Sequence, residues 1–299
     1  MENQSENLAL FALASAPGFS WARTRRLIEE CGTPSAALEA QFGNALFDDR
    51  VEAALNGAAE LMRDFEAQGV HVTTLWGDDY PRQLRTAHDA PPVLYWQGHM
   101  DVRDSDAVAI VGTRNPAPEA RDFASRLATL LANDNTPVIS GLAKGIDEAA
   151  MRASLDAPGR TIGVIGTGHD LSYPTENRAL QAEVAGHLLL SQFPPGTQIH
   201  KRNFPMRNVV MSGCSAMSVI VQAGEHSGTR IQARVAVKHG RPLILTRAVV
   251  NHTTWGRDMV DAGLDISVVG DADEAHEAVR QILDRDRAFA ASAGSFLSL

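Results

Sequence analysis

Cysteine and long apolar runs are nearly missing from this chain. Two cysteines, Cys31 and Cys214, occur in 299 residues, and neither has a Cys or His partner at metal-ligand spacing. That excludes a disulfide scaffold and fits two reduced thiols in a cytoplasmic protein. No apolar stretch reaches the roughly 18 residues of a membrane span, and the mostly polar residues 1–7 lack the basic leader of a secretory signal. A Gly-x-x-x-x-Gly-Lys-Ser/Thr element is also missing, which argues against Walker-type ATP hydrolysis. With no acidic cluster after its strands, the chain does not read as a two-metal nuclease. No catalytic residue, metal ligand, cofactor or membrane association is expected.

Acidic residues are plentiful overall, 36 against 27 Lys and Arg, for a net charge of −9. Taken alone, that charge repels phosphates. The distribution reverses the inference. Residues 184–224 hold no Asp or Glu, where the average composition would place about five, yet they include His187, His200, Lys201, Arg202 and Arg207. Either one face of an acidic protein is cleared of negative charge, or the segment is a buried strand and loop with little surface.

A hydrophobic content of 44% supports a sizeable core, in one large domain or two ordinary ones. Apolar runs end at loops of small residues and isolated bases. Residues 107–110 precede Gly112-Thr113-Arg114, and 137–139 precede Ser140-Gly141 and then Lys144-Gly145. Residues 161–165 precede Gly166-Thr167-Gly168, 188–190 run into 191–197, and 217–223 precede Ser227-Gly228-Thr229. Helical patterns occupy 119–132, 146–155, 177–184, 230–238 and 272–283, and further strands 242–245 and 266–269. This alternation predicts an α/β fold, an extended Rossmann-like parallel sheet with helices on both faces. Loops leaving the carboxyl ends of such strands line one crevice, and helix N-termini there offer free N–H groups to anions.

Before the sheet, residues 8–40 read as two short helices and the start of a third, broken at Pro17-Gly18 and at Gly32-Thr33-Pro34-Ser35. Residues 51–69 read as another helix, 78–92 as irregular, and 93–96 as a short strand. The helix, Pro-Gly, helix arrangement resembles a helix-hairpin-helix, whose turn either grips a phosphate or serves packing. The expected division is a helical N-terminal domain over 1–90, the sheet domain over 91–285, and a tail over 286–299 that frays from Ala290.

Read in order, the loops resemble the motif blocks of the DprA/Smf family. Val111 to Pro116 is similar to its first block, Ser140 to Asp147 to its second, and Gly166 to Asp170 with Tyr173-Pro174 and Asn177 to its third. Phe204-Pro205-Met206-Arg207-Asn208 resembles the fourth block and Ser227-Gly228-Thr229 part of the fifth. The resemblance implies a non-enzymatic, dimeric protein that binds single-stranded DNA in a basic pocket during DNA uptake and recombination and hands the strand to RecA. Carried onto this sequence, the DNA- or phosphate-binding residues are Gly112, Thr113, Arg114, Ser140, Gly141, Lys144, Gly166, Gly168, Lys201, Arg202, Arg207, Asn208, Ser227, Gly228 and Thr229. A guanidinium suits bidentate phosphate contact and an ammonium acts as a point charge.

Structural roles compete at several of these positions. Arg114 could pair with Asp147 or Asp170, Lys144 could decorate a helix start, and Arg207 could support the core. Tyr173-Pro174 suits a rigid turn, His169 a satisfied loop histidine, and Trp96 and Trp255 packing. The family pattern is also broken. Val209 stands where a second Arg is usual, Gln222 where an acid is common, and Met151 where a His occurs. Residues after Asp271 leave no room for the winged-helix module of many members. The alternative is a nucleotide sensor, or a nucleotide N-glycoside hydrolase related to the LOG proteins, with Asp147, Asp170 and Glu225 as candidate acids or bases. That group's Glu after the Gly-Thr pair is replaced here by Arg230 and Gln232.

Overall fold

The computed structural model describes residues 2–42 and 49–296. Helices α1 (Glu2–Ser15), α2 (Trp21–Cys31), α3 (Pro34–Phe42) and α4 (Arg50–Ala67) lead into β1 (His71–Thr74), the single turn α5 (Arg82–Arg85) and β2 (Val93–Gly98). Then come β3 (Val108–Val111), α6 (Pro118–Asn133), β4 (Val138–Ser140), α7 (Ile146–Asp156), β5 (Thr161–Val164), α8 (Arg178–Ala185) and β6 (Leu188–Ser191). The chain continues through α9 (Asn203–Gly213), β7 (Met217–Ile220), α10 (Gly228–Lys238), β8 (Leu243–Thr246), α11 (Arg247–His252), α12 (Thr254–Asp261), β9 (Ile266–Val269) and α13 (Ala272–Phe296).

All nine strands join one sheet in the order β1-β2-β6-β5-β4-β3-β7-β8-β9. Pairing is parallel from β6 to β9, as the strand–helix alternation predicts, whereas β1–β2 and β2–β6 are antiparallel. The sheet thus begins at His71, inside the region 1–90 expected to form a helical N-terminal domain without a strand of the sheet.

Strand periodicity explains the two layers that cover the sheet. Val108 and Ile110 of β3 pack with Leu127 and Leu131 of α6, Ala150 of α7 and Val279 of α13. Ala109 and Val111 face the other way, toward Val210 and Met211 of α9, Ala233 of α10 and Trp255 of α12. At roughly 25 cal/mol per Å² of apolar surface, each such large side chain contributes about 1.5–3 kcal/mol. The N-terminal helices have their own core, in which Leu10, Phe11, Leu13, Ile28 and Leu38 meet Val93 and Tyr95 of β2.

One element went unread and one expectation needs correction. Residues 203–213 form a helix that the sequence pattern did not suggest, because Val209, Val210 and Met211 look like strand and Pro205 looks like a breaker. Proline is tolerated there because it falls in the first turn, where its N–H has no helical partner to lose. The tail expected to fray from Ala290 instead continues α13 to Phe296, with 297–299 outside the described residues.

Candidate nucleic-acid interface

Strand order reverses around β3: the connection after it leads to β4 on one side, while β7 pairs on the other. The helices that follow lie on opposite faces, α6 against one layer and α10 against the other. A crevice opens where such loops part. A cavity of about 450 Å³ lies there, lined by the β3 loop, the start of α10 and one face of α9. A second cavity of about 300 Å³ adjoins it on the β4 side. Arg114, Ala143, Phe204 and Arg207 line both, so the two form one trough.

The floor is built from backbone. Thr113 N–H donates to the Gln222 carbonyl at 2.8 Å, and the Gln222 side chain accepts the Ala117 N–H at 2.9 Å, tying the β3 and β7 loops together. An amide oxygen therefore accepts at Gln222 where a carboxylate is common in the pattern. Met151 is fully buried with Leu142, Ile165 and Leu180, so it serves packing. Gly145, at φ +87°, lets the β4 loop cross the β3 loop; a Cβ there would stand 2.5 Å from the Thr113 carbonyl oxygen. Ser140 Oγ donates to the Ile110 carbonyl at 2.6 Å, a fully buried link between two strands.

Arg207 is the centre of the charge. It is 7% exposed, and its guanidinium lies over Gly141 so closely that any Cβ there would overlap it. Nη1 contacts Met211 Sδ at 3.4 Å, while Nε, among the described residues, has no partner. Burial pulls the guanidinium below its ordinary pKa; Asp147 opposes that pull and Arg114 adds to it. Arginine stays charged even so. Asp147, 4% exposed, accepts the Gly141 N–H at 3.1 Å, and the nearby Ala143 and Gly112 amides favour its charged form. Burial pushes its carboxyl upward, against Arg207 and those donors. Asp147, one of the two structural partners considered for Arg114, therefore acts on Arg207 instead.

Arg114 is exposed on the trough wall and makes no hydrogen bond or ion pair among the described residues. Ser227, Gly228 and Thr229 line the larger cavity at the α10 N-terminus, where Ser227 Oγ is buried with no partner among the described residues. Asn208 lines the same cavity. Lys144 lines the smaller one but is held by Glu176 at 2.6 Å, both side chains well exposed.

Other expected residues lie elsewhere. Gly166 sits beneath the Phe204 ring, with 3.1 Å between a built Cβ and Phe204 Cδ1, and Gly168 abuts the Pro194 carbonyl. Both are small for packing, and neither lines the trough. Lys201 and Arg202 are exposed at the turn that starts α9, outside both cavities. Cations at a helix N-terminus oppose its dipole, so helix stability does not explain them.

Sequence reasoning overlooked Phe204, which lines both cavities with its ring 5.2 Å from that of Tyr173. It also overlooked Gln232, which is 1% exposed, lines the larger cavity and leaves Oε1 without a partner. Phe204 stands inside the Phe204–Asn208 motif and was available; Gln232 showed only as a departure from the pattern after the Gly-Thr pair. Of the residues given structural alternatives, Trp255 follows its own, and His169 does so in part, since only one of its ring nitrogens finds a partner among the described residues. His169 Nε2 lies 3.1 Å from the Leu189 carbonyl, and Trp255 is 2% exposed.

Residues 71–273 match the family model for DNA recombination-mediator protein A. The chain is 36% identical over 203 residues to the DNA processing protein DprA of Bacillus subtilis, covering 67% of this chain and 68% of that protein. It is 35% identical over 196 residues to DprA of Streptococcus pneumoniae, covering 62% and 69%. The X-ray structure of the S. pneumoniae protein superposes with a TM-score of 0.64 at 27% identity, over 89% of this chain and 90% of that one. A Helicobacter pylori DprA structure described for its single-stranded DNA binding mode gives 0.61 at 27% identity, over 70% and 94%. With more than half its length matched, the chain belongs to the DNA recombination-mediator protein A family.

Proposed function

We propose that the protein binds single-stranded DNA without chemistry, laying sugar-phosphate along the trough, and acts as a homodimer that passes the strand to a RecA-type recombinase. The observation that carries this reading is the pairing of Arg207, buried and short of acceptors, with Arg114, exposed and unpaired, on one wall. A buried guanidinium with a free N–H gains most from a phosphate oxygen, since charge-assisted hydrogen bonds strengthen away from water. The α10 N-terminus adds free N–H groups on the same cavity. The family membership and the binding mode described for the H. pylori relative support the ligand.

The hydrolase alternative would draw on Asp147, Asp170 or Glu225 as its acid or base. Each already accepts a backbone N–H, Asp147 from Gly141 at 3.1 Å, Asp170 from Gly196 at 2.9 Å and Glu225 from Thr254 at 2.7 Å, which favours the binding reading. Titrating the protein with an oligo-dT strand, its duplex and a mononucleotide across a salt series tests the proposal. Preferential, salt-sensitive binding of the single strand is expected. Equal affinity for the mononucleotide, or release of free base from it, overturns it.

A further inference from the structure

Outside the lining of the trough, His239 meets two neighbouring side chains, His88 and Asp89, that are distant from it in sequence. His88 and Asp89 lie in the segment before β2, and His239 caps the end of α10. Their donor atoms all lie within 4.8 Å of one another. His239 Nε2 is 2.7 Å from Asp89 Oδ1, and His88 Nε2 is 3.7 Å from Asp89 Oδ2. The two imidazoles stand edge to face, with centroids 5.7 Å apart and planes at 77°.

We propose that His88, Asp89 and His239 bind one divalent ion of the zinc class. Two imidazoles and one carboxylate form a donor set that suits zinc and its transition-metal neighbours and does not suit calcium or magnesium, which take oxygen ligands. The His239 side chain is 1% exposed and its other ring nitrogen, Nδ1, lies 3.0 Å from Ser212 Oγ at the end of α9. That second contact fixes ring orientation and leaves Nε2 for the ion, the usual outer arrangement of a metal-binding histidine. An Asp89–His239 ion pair alone would account for two of the residues. His88 adjoins Asp89 in sequence, and its Nε2 comes within 3.7 Å of the second oxygen of the same carboxylate, so all three donor atoms fall within reach of one ion. Water would complete the coordination, and the ion would fasten the segment before β2 to the end of α10, where His239 rests on Ser212 of α9.

The site is tested on the full chain, stripped with chelator and titrated with zinc by calorimetry and with cobalt by visible absorption. One equivalent is expected, and zinc should raise the melting temperature. His88→Ala, at an exposed position that leaves folding intact, should abolish both effects. Asp89→Asn should do the same. Ser212→Ala should weaken binding on the order of tenfold, and Cys31→Ser should leave the equivalent in place. Binding that survives both His88→Ala and Asp89→Asn, or no equivalent retained by the wild type, overturns the assignment.

Discussion

The Arg207 guanidinium occupies the volume that any side chain at position 141 would need. Gly141→Ala must therefore expel Arg207 from its place over the β4 loop. We expect a stability loss of about 1–3 kcal/mol from overpacking and oligonucleotide affinity reduced at least tenfold. Combining Gly141→Ala with Arg207→Ala should add little to the binding loss of Arg207→Ala alone, since both remove one contact. Fluorescence anisotropy with a labelled oligo-dT, alongside thermal melts, reads both.

Arg114 has no protein partner to lose, so Arg114→Ala should leave the melting temperature unchanged while weakening binding. The salt dependence is the sharper readout. Each phosphate contact on a single strand contributes about 0.7 to the slope of log affinity against log salt, and the variant's slope should fall by about that amount. An unchanged slope would mean that Arg114 touches no phosphate.

Glu176 competes with nucleic acid for Lys144 at the rim of the smaller cavity. Glu176→Gln should free the ammonium and remove a repelling charge, tightening oligonucleotide binding severalfold at low salt. Because the pair is exposed, its loss should change stability by less than about 1 kcal/mol. Weaker binding in Glu176→Gln would show that the carboxylate positions Lys144 instead.

His169 should govern stability in mild acid. Burial lowers its pKa from the ordinary 6.5 to about 4, and its Nδ1 has no partner among the described residues. The unfolded chain takes up a proton below pH 6.5 that the folded chain refuses until about pH 4. The stabilisation is thus complete above pH 6.5 and lost as pH falls through that window, by about 2–3 kcal/mol. Denaturant melts at pH 7 and pH 4.5 should differ less in His169→Asn than in the wild type.

The parallel sheet was readable because buried strands are continuous apolar runs and each ended at a small-residue loop. The trough was readable in part for the same reason: Gly112, Arg114, Gly141, Asn208 and Ser227 lie on such loops or beside a quoted motif. What escaped depends on tertiary placement. β1 (His71–Thr74) has only four residues, too short for periodicity to register, and pairing with β2 makes it a strand. Helix α9 was hidden because its middle is β-branched, and burial against the sheet outweighs that local preference. Gly166, Gly168 and Ser140 have the residue types of a ligand loop, yet their contacts are with Phe204, Pro194 and the Ile110 carbonyl.

The antiparallel pairing of β1 with β2 bears on how the molecule can be cut. A fragment starting at residue 91 would keep β2 and strip its outer neighbour, leaving a row of bare peptide groups along the rim. Such a rim recruits strands from other copies. A shortened version that stays dispersed should start upstream of His71, the residue at which the family match itself begins.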